Sequence, residues 1–188
     1  NMINKSMNYQ NNPVLGEFND VVMAGEWLFG NPETWGSDYL ELLIGYQDEN
    51  GYETWGIPED YTFNKLYESV SSWSANDLID EINSGRQFVH HVGHANSNYV
   101  AFMSNSTITN ANFYGANGVD HNFTLFQSHG CICGAFDDND CIMEKMVSRI
   151  GQPVAEAGAA RAGREHDLRI GHADVAGVDD LVGGALFE

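Results

Sequence analysis

A histidine and a cysteine, His94 and Cys131, each follow an apolar run that ends in a glycine-containing turn. His94 follows the run QFVHHVG, and Cys131 follows FTLFQSHG. Each run predicts a short buried strand, so we expect both side chains at the carboxyl edge of a parallel sheet, where ligands collect in open α/β folds. An imidazole near a thiol raises the thiolate fraction, which makes this pair a candidate base and nucleophile.

The segment before His94 has the clearest helix signal in the chain. Ser74 as N-cap and Asp77 three residues later form the start of a capping box, and Gly85 supplies the stop. A helix that runs directly into a strand near Phe88 is half of a helix-and-strand repeat. We therefore predict an α/β fold, a mostly parallel sheet flanked by helices.

A second buried strand is predicted near the N-terminus. The run from Asn19 to Gly25 is mostly apolar, ends at a glycine and places Glu26 at a strand end. A helix is predicted before it, over residues 2–10. Residues 61–70 are ambiguous, because alternation favours a strand to about Tyr67 while the apolar positions also fit one helical face.

The segments on either side of Cys131 are polar. Residues 96–118 are rich in Asn, Ser and Gly and are expected outside the core, except around Ile108 and Phe113. The acidic turn from Asp137 to Asp140 predicts a helix cap, because apolar residues then recur at four-residue spacing. The N-terminus of that helix would favour a nearby thiolate if it pointed toward it.

Length and charge bound the function. A chain of 188 residues can bury one ordinary core, and a formal charge of -19 with only 8 Lys and Arg residues repels phosphate backbones and anionic lipid. We expect no nucleic-acid binding and no membrane insertion, since no apolar run approaches the length of a spanning helix. The first residues do not resemble a signal peptide, so we expect a piece of a longer, secreted or cell-surface protein with other domains.

Composition changes abruptly at about residue 151. Residues 151–188 are rich in Ala and Gly and contain no Asn, Ser, Thr, Tyr, Trp, Lys or Met. This composition does not favour core strands. We predict one domain over residues 1–150 and a distinct tail over residues 151–188, either disordered or an artefact of sequence assembly.

Several stretches together carry a family resemblance. They are residues 77–94 (DLIDEINSGRQFVHHVGH), 125–136 (LFQSHGCICGAF) and 140–146 (DCIMEKM), with the strand before Glu26 and the loop at residues 32–38 (PETWGSD). This pattern resembles the gingipain-type cysteine peptidases, which belong to the larger group of caspases and legumains. The resemblance covers roughly residues 9–150 and implies a caspase-like catalytic domain that hydrolyses polypeptides.

The resemblance also implies roles for individual residues. His94 is similar in position to the family's base and Cys131 to its nucleophile, and Glu26 falls where the family has an acidic residue near the histidine. The implied mechanism is acyl transfer through a thioester. The oxyanion site is expected at the backbone of Gly93, Gly130 and Cys131, with N–H donors from Cys131 and the Gly93 turn.

Two alternatives to an enzyme stay open. The family has Gly where this chain has Ala95, and its later strands are not recognisable here, so a non-catalytic secreted module with the same fold is one alternative. A zinc-binding domain is the other, although Cys-x-Cys is not a usual zinc signature. Its possible ligands are His90, His91, His94, His129, Cys131 and Cys133.

Cofactor and substrate contacts follow less directly from the sequence. The implied chemistry requires no cofactor, but calcium supports members of the resembled family, and Asp137, Asp138 and Asp140 are candidate ligands for a structural ion. Asp38 and Asp137 are candidates to face a basic substrate side chain, which would suit an acidic enzyme. Cys133 is expected to be a packed neighbour of Cys131.

Overall fold

The structure is a computed structural model and describes residues 2–137, 140–148 and 154–155. The helices in these ranges are α1 (Met2–Asn11), α2 (Gly36–Leu40), α3 (Ala75–Asn83) and α4 (Ile142–Ser148), with a 3-10 turn at Glu41–Leu43. The strands are β1 (Asp20–Gly25), β2 (Trp27–Gly30), β3 (Glu33–Trp35), β4 (Tyr46–Glu49), β5 (Tyr52–Trp55), β6 (Thr62–Tyr67), β7 (Phe88–Val92), β8 (Ala95–Asn96), β9 (Tyr99–Val100), β10 (Met103–Ser104), β11 (Leu125–Ser128) and β12 (Val154–Ala155). Among the described helices, none has the length and apolar character needed to cross a membrane.

The centre of the molecule is a five-stranded sheet in the order β12-β11-β7-β1-β6. All four neighbouring pairs are parallel, so the prediction of an α/β fold with a parallel sheet is confirmed. Ala24, His91 and Ser128 lie side by side across β1, β7 and β11. The carboxyl ends of these three strands therefore meet at one edge, which is consistent with a caspase-like sheet.

Both faces of the sheet are covered, which explains why its strands are nearly continuous apolar runs. On one face, Val22, Val89 and Phe126 pack against apolar side chains of α3 and α4. On the other face, Met23 packs with Leu40 of α2. Helices therefore pack on both faces of the sheet and hold the strands whose carboxyl ends carry the site.

Most of the predicted local elements are confirmed. Helix α3 begins after Ser74, whose backbone N–H and hydroxyl both donate to the Asp77 carboxylate at 2.7 Å. Helix α1 and strand β1 lie where the sequence predicted them. The ambiguous segment forms strand β6 on the edge of the sheet, parallel to β1, so alternation gave the correct interpretation there.

The segment between His94 and Cys131 differs from the prediction. It contains the small antiparallel sheet β8-β9-β10, and β9 and β10 are joined by Ala101 and Phe102, both with positive φ (50° and 58°). Fully buried apolar side chains are spread along it: Val100, Ala101, Met103, Ile108, Phe113 and Ala116. Ile108 and Phe113 were the expected exceptions, whereas Val100, Ala101 and Met103 belong to a short apolar run (YVAFM) that the polar average composition of the segment concealed.

The C-terminal segment contributes one described strand. Val154 and Ala155 form β12, which pairs in parallel with Leu125 and Phe126 of β11. A sheet strand was not expected from so Gly- and Ala-rich a segment. Residues 151–153 and 156–188 lie outside the described residues, so the domain boundary near residue 151 stays a prediction.

Candidate active site

The structure brings Glu26, His94 and Cys131 to the same edge of the sheet. Glu26 directly follows β1, His94 comes two residues after β7, and Cys131 comes three residues after β11. His94 and Cys131 are exposed, whereas Glu26 is 1% exposed. The imidazole of His94 and the thiol of Cys131 therefore face solvent, while the Glu26 carboxylate is buried.

The turns that carry His94 and Cys131 are packed against each other. A Cβ atom at Gly130 would overlap the Ala95 methyl group and would lie 3.4 Å from the Gly93 carbonyl oxygen. The alanine that replaces the family's glycine after the histidine is thus accommodated, because residue 130 has no side chain. Over the described part of the chain, no hydrogen bond joins the His94 ring to the Cys131 thiol. Such contacts often form only in the substrate complex.

Glu26 contacts the backbone of His94 rather than its ring. Its Oε2 accepts the His94 backbone N–H at 2.9 Å, and its Oε1 lies 2.8 Å from His91 Nε2. A Cβ atom at Gly93 would lie 2.5 Å from Glu26 Cδ and 2.6 Å from His91 Nε2. Only glycine at position 93 lets the histidine turn pass directly over this buried pair.

The same hydrogen-bonded chain continues to the cysteine turn. His91 Nδ1 lies 2.9 Å from the Ser128 hydroxyl, and that hydroxyl accepts the Gly130 backbone N–H at 3.0 Å. His91 is 0% exposed and Ser128 is 1% exposed. Sequence reasoning missed both in this role. Their signal was two polar residues at the ends of apolar strands, but only the cross-strand register shows that they meet.

The three cysteines have different environments. Cys131 is exposed, while Cys133 and Cys141 are buried. Burial raises the pKa of the Cys133 thiol, which donates to the Gly130 carbonyl at 3.5 Å. Burial also raises the pKa of the Cys141 thiol. Among the three thiols, Cys131 is thus the one accessible from solvent, and Cys133 is its packed neighbour as expected.

The N-terminus of helix α4 contacts the segments that follow both turns. Its first amides donate inside the protein, Ile142 to the Ser97 carbonyl at 2.7 Å and Met143 to the Cys133 carbonyl at 3.4 Å. These amides therefore do not point at the Cys131 thiol. A helix follows the acidic turn as expected, and at its start the Cys141 N–H donates to Glu144 Oε2 at 2.9 Å. The cap predicted at Asp137 to Asp140 includes residues 138 and 139, which lie outside the described residues, so it stays a prediction.

Trp27 forms a side wall next to the histidine. Its ring centroid lies 6.3 Å from that of His94, and 43% of the Trp27 residue is exposed. The Trp27 backbone N–H donates to Glu68 Oε2 at 2.6 Å. Burial and the nearby charges of Glu26 and Glu68 raise the pKa of Tyr99.

The acidic residues predicted for substrate or calcium lie in several places. The Asp38 carboxylate accepts the Trp35 N–H at 2.9 Å and begins α2, so it already has a structural partner. Asp137 and Asp140 flank residues 138 and 139, and Asp138 lies outside the described residues. No group of three or more His, Cys, Asp and Glu side chains suited to a metal forms among the residues that the structure describes.

The six residues proposed as zinc ligands do not all lie on the same side of the sheet. His90 lies on the face of β7 opposite His91, with its ring stacked at 6.3 Å from that of His129. Burial, and then the charge of His129, lower the pKa of His90 to about 4. Strand β7 ends at Val92, so His94 lies outside the strand that carries His90.

A family model, described as peptidase family C25, matches residues 1–174. The chain belongs to peptidase family C25. This is the gingipain family of cysteine peptidases, so the family resemblance and the assignment to the hydrolases are confirmed, and a peptidase family implies polypeptide substrates. The C25 match extends past residue 150, where the resemblance had ended. No curated protein and no solved structure matches the chain.

Proposed function

We propose that this chain hydrolyses peptide bonds with Cys131 as nucleophile and His94 as general base, through a thioester acyl-enzyme. The observation that carries the proposal is the contact between the two turns, in which Gly130 packs on Ala95 while both reactive side chains stay exposed. Membership of family C25 supplies the reaction class. The neighbouring strand ends supply the proximity that a nucleophile and its base require.

The reaction proceeds in two half-reactions. The His94 imidazole takes the thiol proton, Cys131 Sγ attacks the scissile carbonyl carbon, and the carbonyl electron pair moves to oxygen. The C–N bond then breaks, and the departing amine takes the proton from His94. In the second half, His94 removes a proton from water and the hydroxide attacks the thioester carbon. The C–S bond then breaks, Cys131 takes the proton from His94, and the carboxylic acid product loses its own proton to solvent as it leaves.

The oxyanion is stabilised by the backbone N–H of Cys131. Two neighbouring amides in these turns are engaged within the protein, since the Gly130 N–H donates to Ser128 and the His94 N–H donates to Glu26. Within the described residues the Cys131 N–H makes no hydrogen bond. One preorganised donor of this kind contributes on the order of 3 kcal/mol to transition-state stabilisation. Gly93 and Gly130 act by allowing close approach of the turns.

Several further properties belong to the same proposal. The chemistry uses no metal or cofactor, and any calcium ion near Asp137 and Asp140 has a structural role. Asp38 and Asp137 favour basic side chains in the substrate. The enzyme acts outside the cell or on its surface, within a longer protein that carries other domains.

A mixed fluorogenic peptide library tests the reaction directly. We expect turnover by the wild-type chain, with kcat lowered by at least about 1000-fold in Cys131→Ala and in His94→Ala. Cys141→Ala is the matched control, because it removes a buried thiol that takes no part in the proposed reaction, and it should keep its activity. Equal turnover by wild type and Cys131→Ala would refute the proposal. A correctly folded wild type without turnover would favour the non-catalytic module.

A further inference from the structure

We propose that His91, together with Ser128, is a positioning pair that couples the turn of the base to the turn of the nucleophile. The proposal rests on the proposed peptidase function, in which His94 and Cys131 react. His91 touches neither reactive side chain. It lies between the Glu26 carboxylate and the Ser128 hydroxyl, and these two groups hold the two turns by their backbones.

The donor and acceptor of each hydrogen bond between His94 and Gly130 can be assigned from the chemistry of the groups. An ionised carboxylate can only accept, so Glu26 takes the His94 N–H on Oε2 and the His91 Nε2–H on Oε1. With its proton on Nε2, a neutral His91 ring has an acceptor at Nδ1, which takes the Ser128 O–H. The Ser128 oxygen then accepts the Gly130 N–H. The tautomer is inferred from this network.

Every member of the chain is shielded from water and has a partner. His91 is 0% exposed, and Glu26 and Ser128 are each 1% exposed. A buried network of this kind rigidifies when it is complete and is costly when it is partly satisfied. Breaking one hydrogen bond therefore leaves unpaired buried groups directly beneath the residues that react. The position of the His94 turn relative to the Cys131 turn is then no longer fixed by this network.

The location separates this role from ordinary core packing. Ala24, His91 and Ser128 share one register position, which is the last residue of β11 and lies one residue before the ends of β1 and β7. Both ends of the network are backbone N–H groups next to reactive residues, one at His94 itself and one at Gly130, directly before Cys131. A hydrogen bond that served stability alone would not need to end at these two positions.

Three substitutions break different links. His91→Gln can place its amide nitrogen near the position of Nε2, so it retains the Glu26 contact and loses the Ser128 contact. His91→Asn can place its amide near the position of Nδ1 and does the reverse. Ser128→Ala removes the hydroxyl that joins His91 to Gly130. Thr124→Val is the matched control, because Thr124 is fully buried at the opposite end of β11 and its hydroxyl donates to the Arg86 carbonyl at 2.9 Å.

Kinetics provide the first readout. We expect His91→Gln, His91→Asn and Ser128→Ala each to lower kcat on the order of 10- to 100-fold with KM nearly unchanged, because a small misplacement of reacting groups is costly. Alkylation of Cys131 by iodoacetamide needs no oxyanion donor and should fall far less than kcat. Thr124→Val should keep its kcat even where its melting temperature falls. Combining His91→Gln with Ser128→Ala should cost no more than the larger single effect.

Amide hydrogen exchange provides a readout that does not depend on turnover. The Gly130 amide should exchange faster in Ser128→Ala and in His91→Gln, and the His94 amide should exchange faster in His91→Asn, with Thr124→Val unchanged at both. Unchanged kcat and exchange in folded variants would overturn the positioning role and leave the peptidase proposal intact. A wild type that does not hydrolyse peptides would overturn the peptidase proposal, while the exchange data would still show whether the coupling exists.

Discussion

The Glu26 carboxylate accepts the backbone N–H of His94 at 2.9 Å and does not contact the His94 ring. The family resemblance implied an acidic residue near the histidine at this strand end. In the observed geometry, the Glu26 carboxylate instead holds the backbone of the histidine turn in place. The imidazole itself remains exposed, so its orientation in the reacting complex depends on Trp27 and on substrate.

Replacing Glu26 tests the importance of that backbone contact. In Glu26→Gln, the amide nitrogen cannot accept, so one of the N–H donors of His91 and His94 loses its partner. We expect the free energy of unfolding to fall by about 1–3 kcal/mol and kcat to fall with it. Urea denaturation and peptide kinetics measure the two effects. Glu41→Gln, at a surface carboxylate, is the control, and equal losses in both variants would contradict the account.

The packing of the two turns predicts a rescue. Gly130→Ala should be strongly impaired, because its methyl group would overlap that of Ala95. Adding Ala95→Gly should restore part of the kcat and of the melting temperature, since the Ser128 hydroxyl at 3.1 Å still limits the space. Peptide kinetics and thermal unfolding of both variants give the comparison. An impaired Gly130→Ala variant that gains nothing from the second change would show that the turns do not touch there.

The cysteine environments predict selective alkylation. Brief treatment of the folded chain with iodoacetamide near pH 7 should modify Cys131 first, because burial raises the pKa of the Cys133 and Cys141 thiols. Peptide mapping by mass spectrometry locates the adducts. All three cysteines should react at similar rates in denaturant, which serves as the control. Early modification of Cys133 in the folded chain would mean that the assignment of the nucleophile is wrong.

His90 predicts a pH dependence of stability. Burial and then the charge of His129 lower the pKa of His90 to about 4, against about 6.5 in the unfolded chain. The unfolded state therefore binds the proton first, so stability is lost as pH falls from about 6.5 toward 4, by about 3 kcal/mol at most. His90→Gln should unfold with a shallower dependence over this range. Parallel slopes for the two proteins in urea titrations would exclude the effect.

Chelation tests the role of metal ions. We expect prolonged treatment with EDTA to leave the rate of Cys131 acylation unchanged, because the thiol and imidazole supply all the proton transfers. Loss of a structural calcium ion would lower the melting temperature instead. Active-site titration and thermal unfolding, each before and after dialysis, separate the two outcomes. A chelated protein that keeps its melting temperature but cannot be acylated would show a catalytic metal.

Local patterns were enough to predict the main elements of the fold. The apolar runs before Glu26, His94 and Cys131 correctly predicted three strands, and the Ser74 and Asp77 pair correctly predicted the start of α3. These signals are local, because strand periodicity and capping depend on a few neighbouring residues. The edge at which the three strand ends meet then followed from their parallel direction.

Features that depend on contacts between distant residues could not be predicted. The hairpin turn at Ala101 and Phe102 has two positive φ angles although neither residue is Asn or Gly. Both side chains pack in the hydrophobic core, and this packing compensates for the backbone strain. The bond between His91 and Ser128 depends on the register of β7 and β11. No local pattern distinguishes His91 from its neighbour His90, although they lie on opposite faces of the sheet.

The most direct measurement is the mass of the protein after reaction with a peptidyl acyloxymethyl ketone. The account predicts one covalent adduct per chain, mapped to Cys131, formed rapidly by the wild type and lost in both Cys131→Ala and His94→Ala. The Cys141→Ala control should label like the wild type. Labelling that persists without His94, or an adduct on any cysteine other than Cys131, would contradict the claim that these two residues act as one nucleophile and its base.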